Sequence, residues 1–193
     1  MAVADCTGHG VPGAFMSILG GSFLSEIIKN FDLQVDEVLN MLREQVIKSL
    51  NMVRDGMDIA LCAIDWENAR IEYAGANISL FLLHDPKSGM DELVEIPADH
   101  MPIGLYENNN EPFTRHIIPL MQGDALYMFS DGYCDQFGGP ELKKFKKKNL
   151  KKLFLDIHLK NMSDQKKILN DTIEKWKGDL PQVDDILMLG IKI

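Results

Sequence analysis

Three aspartates that border apolar, strand-like runs are the residues of this sequence best suited to chemistry. Asp5 ends the first apolar run and leads into a loop that contains Gly8 and Gly10. Asp131 and Asp184 stand far downstream, each where an apolar run meets turn residues. One such aspartate is usually an ordinary turn or capping residue and indicates little by itself. Three of them predict a cation site if the fold brings them together, because clustered carboxylates repel one another unless a cation neutralises them.

The composition favours one soluble domain that does not bind nucleic acid. The chain has 193 residues, 46% of them hydrophobic and 25% charged, which is enough for one large core. Its net charge of -9 argues against a nucleic-acid partner, since phosphate backbones are bound by surplus lysine and arginine. The longest apolar runs, at 59–64 and 80–83, are too short to span a bilayer. Three cysteines without disulfide or zinc spacing indicate a reducing cytoplasm.

Hydrophobic periodicity predicts the elements that must position the aspartates. The first helix contains Gly20 and Gly21, which predict close packing against a neighbouring element. The second has an apolar stripe and a polar outer face that includes Arg43. The order of elements indicates one α+β domain over residues 1–193. The predicted elements are helices at 11–30 and 35–50, a three-stranded meander within 57–83, a strand at 93–96, an irregular loop at 98–112, strands at 115–119 and 125–129, helices near 141–155 and 163–176, and a buried last strand at 186–193.

One basic segment departs from the acidic balance of the chain. Residues 143–152 contain seven lysines, interrupted by Phe145 and Leu150 and followed by Leu153. Such a run is usually a solvated helix face held down by its apolar residues. The alternative interpretation is a positive patch that attracts an acidic phosphoprotein.

The segments around the three aspartates also form an ordered set of motifs. They are Ala4-Asp-Cys-Thr-Gly-His-Gly10, Phe129-Ser-Asp-Gly-Tyr133 and Val183-Asp-Asp-Ile-Leu187, with supporting matches at Val11-Pro-Gly-Ala-Phe-Met-Ser17, Met101-Pro-Ile-Gly-Leu105 and Asp135-Gln-Phe-Gly-Gly139. Together they resemble the metal-binding motifs of the PP2C-type metal-dependent serine/threonine phosphatases, and most closely the bacterial SpoIIE-like branch. The order and spacing agree across nearly the whole chain, which makes the set specific although each motif alone is weak.

The resemblance implies a four-layer α/β/β/α sandwich with a two-metal site at one end. It implies that Asp5 bridges two divalent ions, that Asp131 and Asp184 hold one of them, and that the backbone carbonyl of Cys6 reaches the other. Oxygen ligands favour Mg²⁺ or Mn²⁺ over zinc, and two such ions would polarise the phosphoryl oxygens and activate a water for in-line attack. His9 is a further catalytic candidate, as the proton donor to the leaving alkoxide, and its alternative role is to hold the loop by a hydrogen bond.

The function implied by the resemblance is that of a cytoplasmic bacterial signalling enzyme. Its expected substrate is a phosphoserine or phosphothreonine on a regulatory protein of the anti-sigma-factor-antagonist type, and a sensory or receiver domain is expected upstream. The resemblance also implies strands with an acidic motif ahead of the position of Asp5, whereas only four residues precede Asp5 in this sequence. The resemblance therefore also implies an amino-terminally truncated domain with weak activity and a free sheet edge able to form a homodimer.

Two other functions are compatible with parts of the sequence. A catalytically incomplete phosphatase-fold module that binds a regulatory partner is the main alternative, although a binding module has no need of three clustered carboxylates. A nucleotide-binding protein that cradles phosphate with Gly8-His9-Gly10 is a weaker one, since no lysine and serine or threonine follow at P-loop spacing.

Overall fold

The computed structural model of the protein describes residues 1–8, 10–50, 55–85, 93–106 and 111–193. The chain forms two compact units, unit 1 from Met1–Leu80 and Ile96–Leu120, and unit 2 from Phe81–Glu95 and Met121–Ile193. In chain order the elements are β1 (Ala2–Cys6), α1 (Val11–Asn30), α2 (Val35–Leu50), β2 (Gly56–Asp65), β3 (Arg70–Ala76), β4 (Leu80–Leu83), β5 (Leu93–Ile96), β6 (Ile103–Gly104), β7 (His116–Pro119), β8 (Ala125–Phe129), α3 (Gly132–Asp135), β9 (Phe137–Gly138), β10 (Lys143–Lys144), α4 (Lys147–Ile157), α5 (Met162–Lys177) and β11 (Met188–Lys192). Both long amino-terminal helices have the predicted bounds.

Unit 1 is an antiparallel sheet packed against two helices. The strands run in the order β1-β2-β3-β7, and the short β6 pairs with the beginning of β2. The apolar stripe of α2 supplies Leu39, Leu42 and Val46, which are buried together with Ile59 of β2 in one hydrophobic cluster. An amphipathic helix stabilises a sheet in this way because its stripe covers the apolar face of the strands.

The glycine pair of α1 shows why the predicted close packing holds at only one position. Gly20 is buried, and an added Cβ there would lie 2.5 Å from the terminal methyl of Met57 in β2. Gly21 is exposed, and an added Cβ would meet nothing within 4 Å. The prediction is therefore confirmed for Gly20 and wrong for Gly21.

Two predictions about unit 1 are wrong because tertiary pairing overrides local pattern. The predicted meander does not form: β2 and β3 make a hairpin, but β4 leaves this sheet and pairs with β8 in unit 2. Arg43 does not lie on the exposed face of α2 but is buried. Its guanidinium donates hydrogen bonds to Asn40 Oδ1 (3.2 Å) and Glu111 O (2.8 Å), and it stacks over the ring of Phe113.

Unit 2 is a second antiparallel sheet with helices against its apolar face. Its strands run in the order β11-β8-β4-β5, and β9 and β10 form a separate two-stranded pair. Aromatic rings fill the core between the sheet and α4, with the rings of Tyr127 and Phe154 stacked at 4.2 Å between centroids. The last strand, β11, has only β8 beside it among the described residues and keeps exposed positions at Gly190 and Lys192. It is an edge strand and not the buried strand that was predicted.

The lysine run divides between a strand and a helix. The helix predicted from residue 141 begins only at Lys147, because Lys143 and Lys144 pair with Gly138 and Phe137 in the β9–β10 pair. Phe145 and Leu150 are buried as predicted. Lys147 and Lys151 both form ion pairs with Glu95, so part of the positive charge of the lysine run is neutralised locally.

By length and composition, α1 is apolar enough to cross a membrane. A single helix of this kind is weak evidence for a membrane span, because core helices and signal sequences can be equally long and apolar.

Candidate functional site

The end of β8 is built to present Asp131. Ser130 is buried, and its backbone N–H donates to Leu187 O at 3.0 Å. Its hydroxyl donates to Asp185 O and accepts from the N–H of Leu187, each at 2.9 Å. These bonds fasten the strand end to the segment that contains Asp184. Asp131 follows as the first residue ahead of α3, and its carboxylate makes no capping bond to that helix.

Gly132 lets the two segments approach more closely than any other residue would. An added Cβ at Gly132 would lie 2.3 Å from the carbonyl oxygen of Asp185 and 3.3 Å from the carbonyl carbon of Asp184. A contact of 2.3 Å does not occur for real Cβ atoms, and the neighbouring atoms are backbone that cannot rotate away. Glycine is therefore required at position 132 because the Asp184–Asp185 backbone lies so close, and not because of turn geometry.

Gln136 holds the same segment from the other side. Its buried side chain donates from Nε2 to Pro181 O at 3.0 Å and accepts at Oε1 from the N–H of Val183 at 3.3 Å. The N–H of Asp185 also donates to Asp184 Oδ1 at 2.8 Å. Neither Ser130 nor Gln136 was among the residues predicted for the site. The signal available for Gln136 was its place in the motif Asp135–Gly139.

The electrostatics of this strand end match those of a cation site. Desolvation of the Asp131 carboxyl, followed by the negative charges of Asp184 and Asp135, raises its pKa above the usual range. Asp131 remains exposed as a residue, so an ion from solvent can reach it. Lys144 forms an ion pair with Asp135 at 2.7 Å, and this hydrogen bond raises the pKa of the lysine. The structure thus places the Asp184 segment beside Asp131 within unit 2, and the role of the two aspartates as metal ligands stays a prediction.

The end of β1 in unit 1 carries Asp5. In the antiparallel pairing of β1 with β2, Asp5 lies directly opposite Asp58, and Asn77 donates to Asp58 Oδ1 at 2.8 Å. Like charges on facing strand positions destabilise a sheet unless something compensates them. Thr7 closes this strand end, since its hydroxyl donates to Gly56 O at 2.9 Å and accepts from the N–H of Gly56 at 2.8 Å.

Asp58 is an acidic neighbour that sequence reasoning missed. It stands near the start of an apolar strand, and only the β1–β2 register brings it opposite Asp5. Cys6 ends β1 opposite Met57, and His9 lies outside the described residues. The loop turns as predicted, with positive φ angles of 88° at Gly8 and 68° at Gly10.

Within the part of the chain that the structure describes, no three His, Cys, Asp or Glu side chains are grouped so as to hold a metal ion. The convergence of Asp5 with Asp131 and Asp184 therefore stays a prediction.

Comparison with solved structures defines the class of protein. The SiaA PP2C domain of Pseudomonas aeruginosa has a TM-score of 0.88 and 26% identity, and the match covers 100% of this chain and 74% of that one. The PP2C phosphatase domain of SpoIIE from Bacillus subtilis, with a fragment of its regulatory domain, has a TM-score of 0.75 and 18% identity, covering 100% of this chain and 53% of that one. The catalytic domain of the serine/threonine phosphatase PstP in complex with two manganese ions has a TM-score of 0.64 and 14% identity, covering 98% and 84%. The predicted α+β fold of PP2C type is confirmed, and the chain has the fold of the PP2C phosphatase domains.

The particular family follows from the sequence as a whole. The family model for stage II sporulation protein E (SpoIIE) matches residues 1–193, and the chain belongs to that family. This chain spans about three quarters of the first solved relative and about half of the second. No curated protein matches the sequence.

Proposed function

We propose that this chain is the catalytic part of a bacterial signalling phosphatase that hydrolyses phosphoserine or phosphothreonine on a small regulatory protein of the anti-sigma-factor-antagonist type. The observation that carries the proposal is the Asp131–Asp184 carboxylate pair, held by Ser130 and Gln136 at the end of β8. A site that places two anionic groups together and raises the pKa of one is suited to a cation.

The donor set fits Mg²⁺ or Mn²⁺. Asp131 and Asp184 offer carboxylate oxygens within unit 2, and the proposal adds Asp5 and the carbonyl of Cys6 from unit 1. Hard divalent cations prefer such oxygen ligands, whereas zinc prefers nitrogen and sulfur. When bound, the metal would neutralise the phosphoryl oxygens and lower the pKa of an attacking water. The chain's own contribution is to hold Asp131 and Asp184 in place and to keep them accessible to solvent.

The decisive test compares Asp131→Asn with Asp171→Asn, an exposed aspartate on α5 of the same unit. Turnover of p-nitrophenyl phosphate and of a phosphopeptide is measured against Mn²⁺ concentration, in the 193-residue chain and in a version extended upstream. We expect Asp131→Asn to lose at least about a hundredfold in turnover, because it removes the charge of a metal ligand with little change of shape. Asp171→Asn should match the wild type.

The same titration separates the enzyme from its alternative. If the wild type and both variants show no turnover at any Mn²⁺ concentration, the chain is a phosphatase-fold binding module instead. Turnover that survives Asp131→Asn would remove this residue from the mechanism.

The remaining parts of the proposal concern location and partners. A cytoplasmic protein with an upstream sensory or receiver domain is expected, and the free edge of a sheet is expected to support a homodimer. β1 and β11 are edge strands of their sheets among the described residues. Light scattering over a range of protein concentrations tests this association, and a constant mass of 21.8 kDa, that of one chain, would contradict it.

A further inference from the structure

The hairpin of β9 and β10 packs directly on the carboxyl end of α5. The N–H of Gly139 donates to Trp176 O at 2.8 Å. Gly138 is buried, and an added Cβ there would overlap the same carbonyl oxygen of Trp176. Gly139 has a positive φ angle of 67°, which favours glycine. The two glycines of the motif Asp135–Gly139 therefore let the hairpin lie against the helix backbone, and we name this contact the hairpin–α5 joint.

The indole of Trp176 reaches across the joint to the residue that begins the hairpin. Its Nε1 donates to Gln136 O at 3.1 Å, and the N–H of Phe145 donates to the same oxygen at 2.9 Å. The rings of Trp176 and Phe145 meet edge to face, with 5.4 Å between centroids and 89° between planes. Two donors, one of them at the end of α5, thus fix the main chain of Gln136.

The side chain of Gln136 extends this fixation to the segment that contains Asp184. Residues 178–187 form neither helix nor strand, so the segment lacks a ladder of backbone hydrogen bonds. Gln136 is fully buried and bonds to Pro181 O and to the N–H of Val183. The place of Asp184 therefore depends on where Gln136 stands, and Gln136 in turn is held by the indole of Trp176.

We propose that Trp176 is a positioning residue for Asp184 and acts through Gln136. The inference rests on the proposed function, in which Asp184 is a metal ligand, and adds a residue that touches neither metal nor substrate. Residues that orient a ligand commonly change metal affinity by about 10–100-fold when they are substituted. Removal of the indole N–H would let Gln136 and the segment shift together, and the Asp184 carboxylate would lose its fixed position.

A role in packing alone would have a different signature. Trp176 is half-buried and packs against the hydrophobic cluster of unit 2, so loss of its ring would also lower general stability. Loss of the N–H alone leaves no buried acceptor without a partner, because Gln136 O keeps its bond from Phe145. The hydrogen bond should therefore affect the local freedom of the Asp184 segment more than the stability of the unit.

The first test is amide hydrogen exchange in the metal-free 193-residue chain. Trp176→Phe keeps an aromatic ring and removes the N–H. Ile157→Val is the matched control, because Ile157 is buried in the same cluster on α4 and its substitution removes one methyl group and no hydrogen bond. We expect the N–H of Val183 to exchange at least about tenfold faster in Trp176→Phe, by local opening, while the interior of α5 keeps its rates. Ile157→Val should leave the rate at Val183 unchanged.

The second test is Mn²⁺ binding, followed by electron paramagnetic resonance of the free ion. Trp176→Phe should raise the Kd for Mn²⁺ at least about tenfold. Gln136→Leu, which removes both side-chain bonds to the segment, should raise it at least as much. In the Gln136→Leu background, Trp176→Phe should add less than about twofold, because residues that act through one another are not additive.

The outcomes separate this inference from the proposed function. Unchanged exchange at Val183 in Trp176→Phe, or equal acceleration in Ile157→Val, would overturn the positioning role. So would an unchanged Kd in Trp176→Phe when the wild type binds Mn²⁺. Fully additive effects in the double variant would overturn the route through Gln136. Faster exchange at Val183 in a chain whose wild type binds no Mn²⁺ would support the positioning of the segment and overturn the proposed function.

Discussion

Replacing Gly132 by alanine should move the Asp184 segment away from Asp131. The change adds one methyl group, and its carbon would lie 2.3 Å from Asp185 O and 2.9 Å from the carbonyl carbon of Asp185. The φ angle of Gly132 is not positive, so the backbone itself tolerates alanine. All of the effect therefore comes from the clash, which a shift of roughly 1 Å would relieve by restoring an ordinary non-bonded separation.

Such a shift has a cost in stability and a larger one in activity. Overpacking of this kind costs about 1–3 kcal/mol, and the displaced segment would also strain the bonds of Ser130 to Asp185 and Leu187. For a chain of this length that corresponds to a decrease in Tm of about 2–12 °C. A misplacement of about 1 Å at a catalytic centre costs about a hundredfold in rate. Activity should thus fall much further than stability.

The assay is thermal unfolding, with and without Mn²⁺, together with metal-dependent turnover of p-nitrophenyl phosphate. Gly21→Ala is the control, because an added Cβ there meets nothing and alanine stabilises a helix interior by about 0.5–1 kcal/mol relative to glycine. The two substitutions should change Tm in opposite directions. A Gly132→Ala variant with wild-type Tm and turnover would refute the argument that close backbone approach positions Asp184.

Three further predictions concern single residues. Since the pKa of Asp131 is raised, the folded state binds the proton of this carboxyl more tightly than the unfolded state does. The metal-free chain should therefore lose stability as the pH rises from about 4 through that raised pKa. Urea unfolding of Asp131→Asn at several pH values should show a weaker dependence of stability on pH. Arg43→Lys should cost about 1–3 kcal/mol in urea unfolding, because an ammonium cannot reproduce the contacts of the buried guanidinium with Asn40, Glu111 and Phe113, and an unchanged midpoint would contradict this. Burial raises the pKa of Cys62 and of Cys134 to about 12, so neither thiol should react with iodoacetamide at pH 8 until urea is added. Alkylation of either cysteine in the folded chain, detected by peptide mass spectrometry, would contradict this prediction.

Local pattern predicted most elements of the fold because periodicity reports which face of an element is buried. α1 and α2 have the bounds that their apolar spacing indicated, and α5 differs by one residue at each end. Pattern failed where the partner of an element mattered. β4 is as apolar as the strands before it, yet its partner is β8, and periodicity contains no information about which strand pairs with which.

Arg43 shows the same limit for a side chain. Its place on the polar face of α2 predicted solvent exposure, but the loop at Glu111 and the ring of Phe113 cover it. These residues are far away in the sequence, so no local window could have revealed them.

The sequence by itself predicted the chemistry of the candidate site. The residue types around Asp5, Asp131 and Asp184, and the resemblance of their motifs to a known set, predict oxygen ligands for a hard divalent cation, and this stays a prediction. The tertiary structure alone decided how the carboxylates are held. Gln136 and Ser130 fasten the Asp184 segment through backbone atoms some fifty residues away, and Asp58 faces Asp5 only through strand register. Side-chain chemistry is encoded locally, whereas hydrogen bonds to distant backbone groups exist only after the chain has folded, which is why the first could be predicted and the second could not.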